Sequence, residues 1–418
     1  MTIKSIFDLE EYKPYKKAWY SRTGVLNKRS MYYDGSIYTK AREQLGWLAP
    51  RIYQGIKPLY LPLSKAVDID AGIIPGGWEL PEDEPKAEIW QRAIDTLFDW
   101  STWDTDGVLF VHYGAQCGVS GLKICDLREY GRIVIQPTDP TLFMLVGMGM
   151  YDNDPDMAIF LERRDGADGE FEYAEIIEPS RIRTYANGAL TGFDDREPEY
   201  KNELGFVPYV EARHIETGKP LGESTFQKAI PLLDEVNEIA SYLADIIRKH
   251  ADAQWAVFGA EPSDLEHSGD TVWFFPEGAD AKILVPGIDI AGVLSFIQEI
   301  AKNVKEALPE LAFDDLRSRT QVATETVELQ LMELILKIKR TRPNYDRGLT
   351  SALKLAGRAA KTMGLPEIAV LDDEELRFDD ERAILPPDEK AMIQLETMRL
   401  ELEQMQNSTI REGEDALA

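Results

Sequence analysis

The sequence predicts an α+β fold, in which a mixed N-terminal half precedes a largely helical C-terminal half. Up to His214, short runs of β-forming residues alternate with turn signals. Beyond His214, apolar residues recur at helical spacing over long stretches. Hydrophobic residues make up 44% of the 418 residues, which excludes a largely disordered chain.

The N-terminal half is predicted to contain one clear amphipathic helix, at 85–103, followed by strands. The apolar face of that helix is predicted to consist of Ile89, Ala93, Leu97 and Trp100. Strands are predicted at 107–111, 120–128, 132–136, 158–163, 171–177 and 182–185. The Asn187-Gly188 pair is a typical hairpin turn and predicts antiparallel pairing around it.

The C-terminal half is predicted to be helical around a small β-containing insert. Ser224 is the expected N-cap of a first helix over 226–252, and Pro309 is expected to end a second helix over 290–308. The insert is predicted to hold strands at 254–258, 271–276 and 282–285. A long helix is then predicted over 321–363, kinked or broken at Pro343. The prediction ends with a strand at 376–378 and a helix at 387–406.

Composition excludes several classes of protein. Acidic residues outnumber basic ones by 74 to 46, and the formal charge of −28 argues against a protein that wraps nucleic acid. No run of about 18 apolar residues occurs, so no membrane span is expected. The two cysteines, Cys117 and Cys125, cannot form a disulfide framework, which fits a reducing compartment.

Motifs for catalysis or for cofactor binding are missing from the sequence. Gly218-Lys219 is followed by Pro220 and lacks the upstream glycine of a phosphate-binding loop. Asp152, Asp154 and Asp156 mimic a calcium loop, but Met157 occupies its glycine position. We therefore predict no catalytic residue, no metal ligand and no cofactor, and the sequence favours a structural or assembly role.

Several short motifs follow one another in a characteristic order. The order begins with Arg29 through Tyr33-Asp34-Gly35 and continues with 109–113 and 122–124 as paired strands. It ends with Gly222-Glu223-Ser224 before a long helix. The chain resembles the portal proteins of tailed bacteriophages in these motifs and in the arrangement of a helix, a β-containing insert and a second helix. These proteins form the ring at one capsid vertex through which DNA is packaged and ejected.

The resemblance implies a portal fold with a mixed α/β wing, a two-helix stem, a small β-containing clip, a long wing helix and a helical crown. The implied boundaries are 1–223 for the wing, 224–252 for the first stem helix, 253–288 for the clip, 289–308 for the second stem helix, 309–322 for the tunnel loop, 323–363 for the long wing helix and 364–418 for the crown.

The resemblance also implies partners and a location. The chain is expected to form a homo-oligomeric ring of twelve subunits and to pass double-stranded DNA without reading its sequence. Terminase large subunit, a head–tail adaptor and the major capsid protein are the other implied partners, and no membrane is involved. The implied location is the portal vertex of the virion, after assembly in the host cytoplasm. Acidic subunits fit this role, because a wall of the same charge sign as DNA lets the duplex slide.

Three groups of residues are candidates for this function, and each also has a structural interpretation. The clip-interface candidates are Trp255, Trp273, Phe274 and Phe275, which alternatively pack against their own stem. The candidates for the channel-facing side of the stem are Arg248, Lys249, Lys302 and Lys305, which alternatively stabilise helix C-termini. The tunnel-loop candidates are Asp314, Asp315, Arg317, Ser318 and Arg319, which alternatively pair with one another.

Two other classes of protein stay open at this point. A head–tail adaptor or baseplate protein would share the capsid or tail location, although adaptors are usually shorter and lack the helix, β-insert, helix order. A metal-dependent DNA-processing enzyme would need carboxylates that converge from separate strands. Images of the purified protein separate a stalked ring from both alternatives.

Overall fold

A computed structural model describes residues 5–39, 60–75, 78–81, 83–147, 154–166, 169–219, 221–251, 255–258, 280–283, 290–311 and 324–379. The chain divides into two compact units. The first is built from Met1–Asp34, Pro62–Lys228 and Ala307–Ala418, and the second from Gly35–Leu61 and Ala229–Glu306. The predicted α+β class is confirmed.

Among the described residues of the first unit, two 3-10 helices (Ile6–Asp8 and Lys13–Tyr15) and four α-helices precede the sheets. The α-helices are α1 (Lys16–Tyr33), α2 (Leu63–Ile73), α3 (Ala87–Ser101) and α4 (Trp103–Cys117). Helix α3 confirms the predicted helix, but its buried face includes Trp90 and Ile94, whereas Ile89 is 54% exposed. The prediction for Ile89 is therefore wrong, because the face that carries Trp90 offers more apolar area to the core.

The predicted strand at 107–111 is also wrong, and so is the pairing expected of 109–113. Both segments lie inside α4, which starts with Asp104 and Asp106 in its first turn and ends at Gly118 with φ 83°. Phe110 and Val111 are both fully buried, and a short apolar run of this kind looks the same in a buried strand and in a buried helix.

Two antiparallel sheets follow in the first unit. The smaller one has the order β2-β1-β9, with β1 (Val119–Leu127), β2 (Arg132–Thr138) and β9 (Tyr209–Arg213). The larger one has six strands, β3 (Phe143–Val146), β4 (Met157–Gly166), β5 (Gly169–Ile177), β6 (Arg181–Ala186), β7 (Ala189–Leu190) and β8 (Glu199–Lys201). Asn187 and Gly188, at φ 50° and 74°, make the predicted hairpin turn between β6 and β7.

The second unit contains two long helices and a strand pair. These are α5 (Ile230–Ala251), the antiparallel strands β10 (Trp255–Phe258) and β11 (Asp280–Ile283), and α6 (Ile290–Glu306). Helix α5 starts later than the cap expected at Ser224. The backbone N–H of Thr225 donates instead to the Ala115 carbonyl, 2.9 Å away, so this segment forms turns. The predicted strand at 271–276 lies outside the described residues.

The chain returns to the first unit through a 3-10 turn (Pro309–Leu311), the 40-residue helix α7 (Thr324–Met363) and the short helix α8 (Pro366–Ala369). Helix α7 continues through Pro343, so the break expected there is absent. Buried residues on both sides of Pro343, among them Ile338 and Tyr345, pack into one core, and this packing offsets the hydrogen bond that proline cannot make.

That core joins α2, α3, α4, β1, β2, β9, α7 and α8. Leu376 and Phe378 are buried in it. The strand predicted at 376–378 is wrong, because these residues form no strand in the structure. The helix predicted at 387–406 lies outside the described residues. Of the helices that the structure describes, none combines the length and the apolar character needed to cross a membrane.

Candidate functional site

The residues predicted to face a channel or a clip interface are only partly covered by the structure. Arg248 and Lys249 lie in the last turn of α5, and Trp255 starts β10, opposite Ile283. Trp273, Phe274 and Phe275 lie outside the described residues, as do the five tunnel-loop candidates Asp314, Asp315, Arg317, Ser318 and Arg319. The roles of all of these residues stay predictions.

The lysines of α6 are the predicted site residues whose surroundings the structure describes. Lys302 has a side chain that is 76% exposed, and its Nζ lies 3.5 Å from Glu306 Oε1 on the next turn. An exposed pair of this kind contributes little to stability, because water and salt screen it. Lys305 is half-buried on the same helix.

Helix α6 has an apolar surface wider than its buried stripe. Ile300 and Val304 are buried, whereas Ile290, Leu294 and Phe296 are 42%, 48% and 48% exposed. At about 100° per residue, Phe296 lies on one side of the buried stripe, and Ile290 and Leu294 lie on the other. The same spacing places Lys302 and Glu306 roughly opposite the stripe. The helix therefore presents two separate apolar flanks and a polar back.

The first unit contains a group of polar side chains that the sequence analysis did not identify. We call it the buried charged cluster, and it consists of Asp70, His214, Thr225, Glu310, Lys337 and Tyr345. Asp70 lies on α2, Lys337 and Tyr345 on α7, and Glu310 in the 3-10 turn. His214 directly follows β9, and Thr225 lies in the turns that precede α5. Five elements therefore meet at one polar point.

Hydrogen bonds define how the cluster is protonated. Lys337 donates to Glu310 and, over 3.2 Å, to Asp70 Oδ2, and the Thr225 hydroxyl also donates to Asp70 Oδ2. Because the Thr225 proton is used in this way, its oxygen accepts from His214 Nε2, 2.8 Å away. His214 Nδ1 lies 2.8 Å from the Tyr345 hydroxyl, which shares its one proton between Nδ1 and the Val111 carbonyl, 3.3 Å away. These contacts fit a neutral imidazole protonated at Nε2.

The pKa directions agree with that arrangement. Burial lowers the pKa of His214 and keeps its ring neutral. Burial also raises the pKa of Asp70, but the charge of Lys337, the His214 Nε2–H group 3.5 Å away and the bond from Thr225 outweigh it, so the net shift of that pKa is downward. For Glu310, burial and the nearby charge of Asp70 raise the pKa to about 7. Burial lowers the pKa of Lys337, but the two carboxylates together raise it above its ordinary value.

The cluster has no access to a substrate. Asp70, His214 and Thr225 are 1%, 0% and 6% exposed, so the contacts between threonine, histidine and aspartate lie inside the protein core. Among the described residues, no three His, Cys, Asp or Glu side chains are placed to hold a metal ion. The arrangement can hold elements together, but it has no opening for chemistry on a bound molecule.

A second polar contact joins two of the motifs noted in the sequence. Arg29 donates to the carbonyls of Cys117 and Gly222, the latter at 2.9 Å, and its Nε donates to Gln227 over 3.0 Å. The Cys117 carbonyl belongs to the last turn of α4, where a cation is favourable. A Cβ at Gly118 would overlap the Gly222 carbonyl, so these backbones can approach only because the position is glycine.

Both features left a signal in the sequence that could have been read. Arg29 lies on the buried face of α1, in register with Trp19 and Leu26. Asp70 lies on the buried face of α2, in register with Leu63 and Val67. A charged residue within an apolar helical stripe marks a buried polar contact. The sequence gives no indication of which distant residue it meets.

Comparisons with known proteins agree with the resemblance seen in the sequence. Residues 127–394, more than half of the chain, match the family described as "Phage portal protein, SPP1 Gp6-like". Among curated proteins, no sequence match was found.

Solved structures give weaker likenesses. They include "Neck of native GTA particle computed with C12 symmetry", with 12% identity, 74% of this chain and 82% of that chain covered, and a TM-score of 0.38. "Neck of empty GTA particle computed with C6 symmetry" has 13% identity, 74% of this chain and 83% of that chain covered, and a TM-score of 0.43. "Virion of native gene transfer agent (GTA) particle" has 13% identity, 75% of this chain and 84% of that chain covered, and a TM-score of 0.38. At such low TM-scores, these likenesses carry no argument beyond the family match.

Proposed function

The chain belongs to the SPP1 Gp6-like phage portal family, and we propose that it assembles into a twelve-subunit ring at one vertex of the virion capsid. A portal protein is part of a phage-like head–tail connector. In our proposal, the ring is the channel for packaging and ejecting DNA, and it docks terminase, the head–tail adaptor and the major capsid protein. The family is structural, so the proposal includes no enzymatic activity.

The two apolar flanks of α6 carry the ring proposal. Phe296 on one side and Ile290 with Leu294 on the other are exposed in the single subunit. Two different patches on one subunit suit a head-to-tail interface, in which each copy offers one patch to the next copy. Repetition of such an interface closes into a ring when the rotation allows it. Contact with neighbours also removes from water the apolar area that the subunit leaves exposed.

The assembly is tested by imaging and by mass measurement of the purified full chain. We expect stalked rings with a central hole for the wild type. Leu294→Asp places a charge on one flank and should yield folded subunits that do not close into rings. Ser295→Asp, on the next position of the same helix and close to its polar back, is the matched control and should still form rings. Equal assembly of both variants would remove α6 from the interface.

The polar back of α6 is the surface that we assign to the channel. It carries Lys302 with Glu306, and we add Lys305 in the last turn of α6 and Arg248 and Lys249 in the last turn of α5. A few lysines among many acidic residues make weak, sequence-independent contacts with passing phosphates. An overall acidic wall limits adhesion.

Within the segment 309–322, residues 309–311 form the buried 3-10 turn, and we assign the residues that follow them to the tunnel loop of the ring. It separates α6 from α7, and its residues Asp314, Asp315, Arg317, Ser318 and Arg319 are too polar to be buried without partners. Replacing Arg317 and Arg319 with alanine should leave rings intact while changing the length or the retention of packaged DNA. Wild-type packaging in that double variant would take the loop out of the mechanism.

The strand pair β10–β11 and the residues between the two strands are assigned to the clip. Trp255, Trp273, Phe274 and Phe275 bring more apolar surface than so short an insert can bury alone. We propose that neighbouring copies and docked partners cover it. Trp273→Ala should weaken adaptor or terminase binding to preformed rings, measured by co-sedimentation. Unchanged binding would argue that the four aromatic side chains pack within their own subunit.

A further inference from the structure

Two carboxylates compete for one ammonium group in the buried charged cluster. Lys337 Nζ is hydrogen-bonded to Glu310 Oε1 and lies 3.2 Å from Asp70 Oδ2. Asp70 and Glu310 are 1% and 0% exposed. Their second oxygens, Asp70 Oδ1 and Glu310 Oε2, find no hydrogen-bond partner among the described residues. Neither carboxylate can therefore move its charge into water.

The charges of the cluster balance only when one carboxylate carries a proton. Lys337 contributes one positive charge, and complete burial keeps the His214 ring neutral. If Asp70 and Glu310 were both ionised, the cluster would hold a net negative charge inside the core, which is costly. Asp70 accepts bonds from both Lys337 and Thr225, so it keeps its charge, and Glu310 is the group that takes up the proton.

We propose that Glu310 is a proton-controlled clasp, which in its protonated form holds the Pro309–Leu311 turn against α7 and which loosens that turn when it ionises. The turn is the segment through which the chain leaves α6 and returns to the first unit. Lys337 lies on α7, so the clasp joins the two sides of residues 312–336. Among the described residues, the charged groups that act on Glu310 are Lys337 from α7 and Asp70 from α2. The clasp belongs to the folded subunit and does not depend on ring formation.

The direction of the pH effect follows from the upward shift of the Glu310 pKa to about 7. Between its ordinary pKa and this value, the folded chain binds a proton that the unfolded chain has lost. The stabilisation is therefore complete below the ordinary range and is lost as the pH rises to about 7. His214, whose pKa is lowered, has the opposite effect, because it favours folding above its ordinary pKa of 6.5. A variant of Glu310 alone separates the two.

The experiment compares the full-length wild type with Glu310→Gln across the pH range from about 5 to about 8. The glutamine keeps the shape and one acceptor but cannot ionise. Relative to this variant, the wild-type unfolding constant should rise by up to about tenfold per pH unit between about pH 5 and about pH 7. Hydrogen exchange of residues 307–311, corrected for the chemical exchange rate, should accelerate over the same range in the wild type but not in Glu310→Gln. Glu299→Gln, on the exposed surface of α6, is the matched control and should follow the wild type.

Parallel pH profiles for the wild type and Glu310→Gln would overturn the proposal. If Glu310→Gln does not fold, Asp70→Asn gives an independent test, because it removes the like charge that competes for Lys337. Glu310 should then ionise at a lower pH, and the dependence between about pH 5 and about pH 7 should disappear. Persistence of the full dependence in Asp70→Asn would show that another group is responsible.

Discussion

Lys337 in the first unit and Lys302 in the second unit show how differently the same ion pair behaves in two regions of this protein. Both lysines lie on long helices, and both face a glutamate. The Lys337 side chain is 15% exposed and is shared by Glu310 and Asp70, whereas Lys302 and Glu306 are 76% and 63% exposed. The buried pair is tied to five elements of the core, and the exposed pair belongs to a surface that we assign to a channel. Burial, rather than residue type, decides whether a charge supports the fold or is available to a partner.

Removal of the buried cation should give the largest effect. Lys337→Met leaves two buried carboxylates without their common partner, and we expect a loss of about 3–5 kcal/mol in the free energy of unfolding. Denaturant titration of the full chain measures it. Lys339→Met, an exposed position on the same helix, is the control and should stay within about 0.5 kcal/mol of the wild type. A similar small loss for both variants would end the contrast between the two regions.

Crowding around the same cluster should give a somewhat smaller effect. A Cβ at Gly114 on α4 would overlap the Tyr345 hydroxyl, which is itself held by His214. Gly114→Ala should therefore cost about 1–3 kcal/mol, the usual range for overpacking a core. At Gly24 on α1, a Cβ meets nothing within 4 Å. Gly24→Ala should be neutral or should stabilise by up to about 1 kcal/mol, and thermal unfolding of the two variants compares them directly.

An apolar flank of α6 should show the opposite balance between stability and assembly. Phe296→Ser removes a side chain that is already 48% exposed, so the unfolding free energy of the subunit should change by less than about 1 kcal/mol. Ring formation, followed by analytical ultracentrifugation, should nevertheless weaken. A large loss of subunit stability with unchanged rings would place Phe296 inside the subunit's own packing.

The exposed ion pair should give the smallest effect on stability. Replacing Lys302 and Lys305 with alanine should change the unfolding free energy by no more than about 0.5 kcal/mol per exposed pair. If these lysines touch phosphates, the salt dependence of DNA retention in assembled particles should become weaker in the double variant. A thermal shift with normal retention would favour their role at the C-terminus of α6, where cations stabilise the helix.

Local patterns in the sequence were sufficient for much of the fold. The 3.6-residue period predicted α3, α5, α6 and α7, and short β-forming runs separated by turn signals such as Asn187-Gly188 predicted antiparallel strands. The order of these elements was enough to recognise the portal family, which the match over 127–394 confirms. These features depend on neighbours in the chain, and the sequence displays such neighbours directly.

Only the tertiary structure decided the rest. The apolar run at 107–111 suits a buried strand and a buried helix equally, and only its packing as part of α4 decided for the helix. Helix α7 continued through Pro343 because both of its halves pack into the same core. The meeting of Asp70 with Glu310 and Lys337 was not visible in the sequence, since these residues lie up to 267 positions apart. Period and propensity describe how a segment folds on itself. The protonation of a buried carboxylate depends on which distant charges the fold brings to it, and that is a property of the packed core alone.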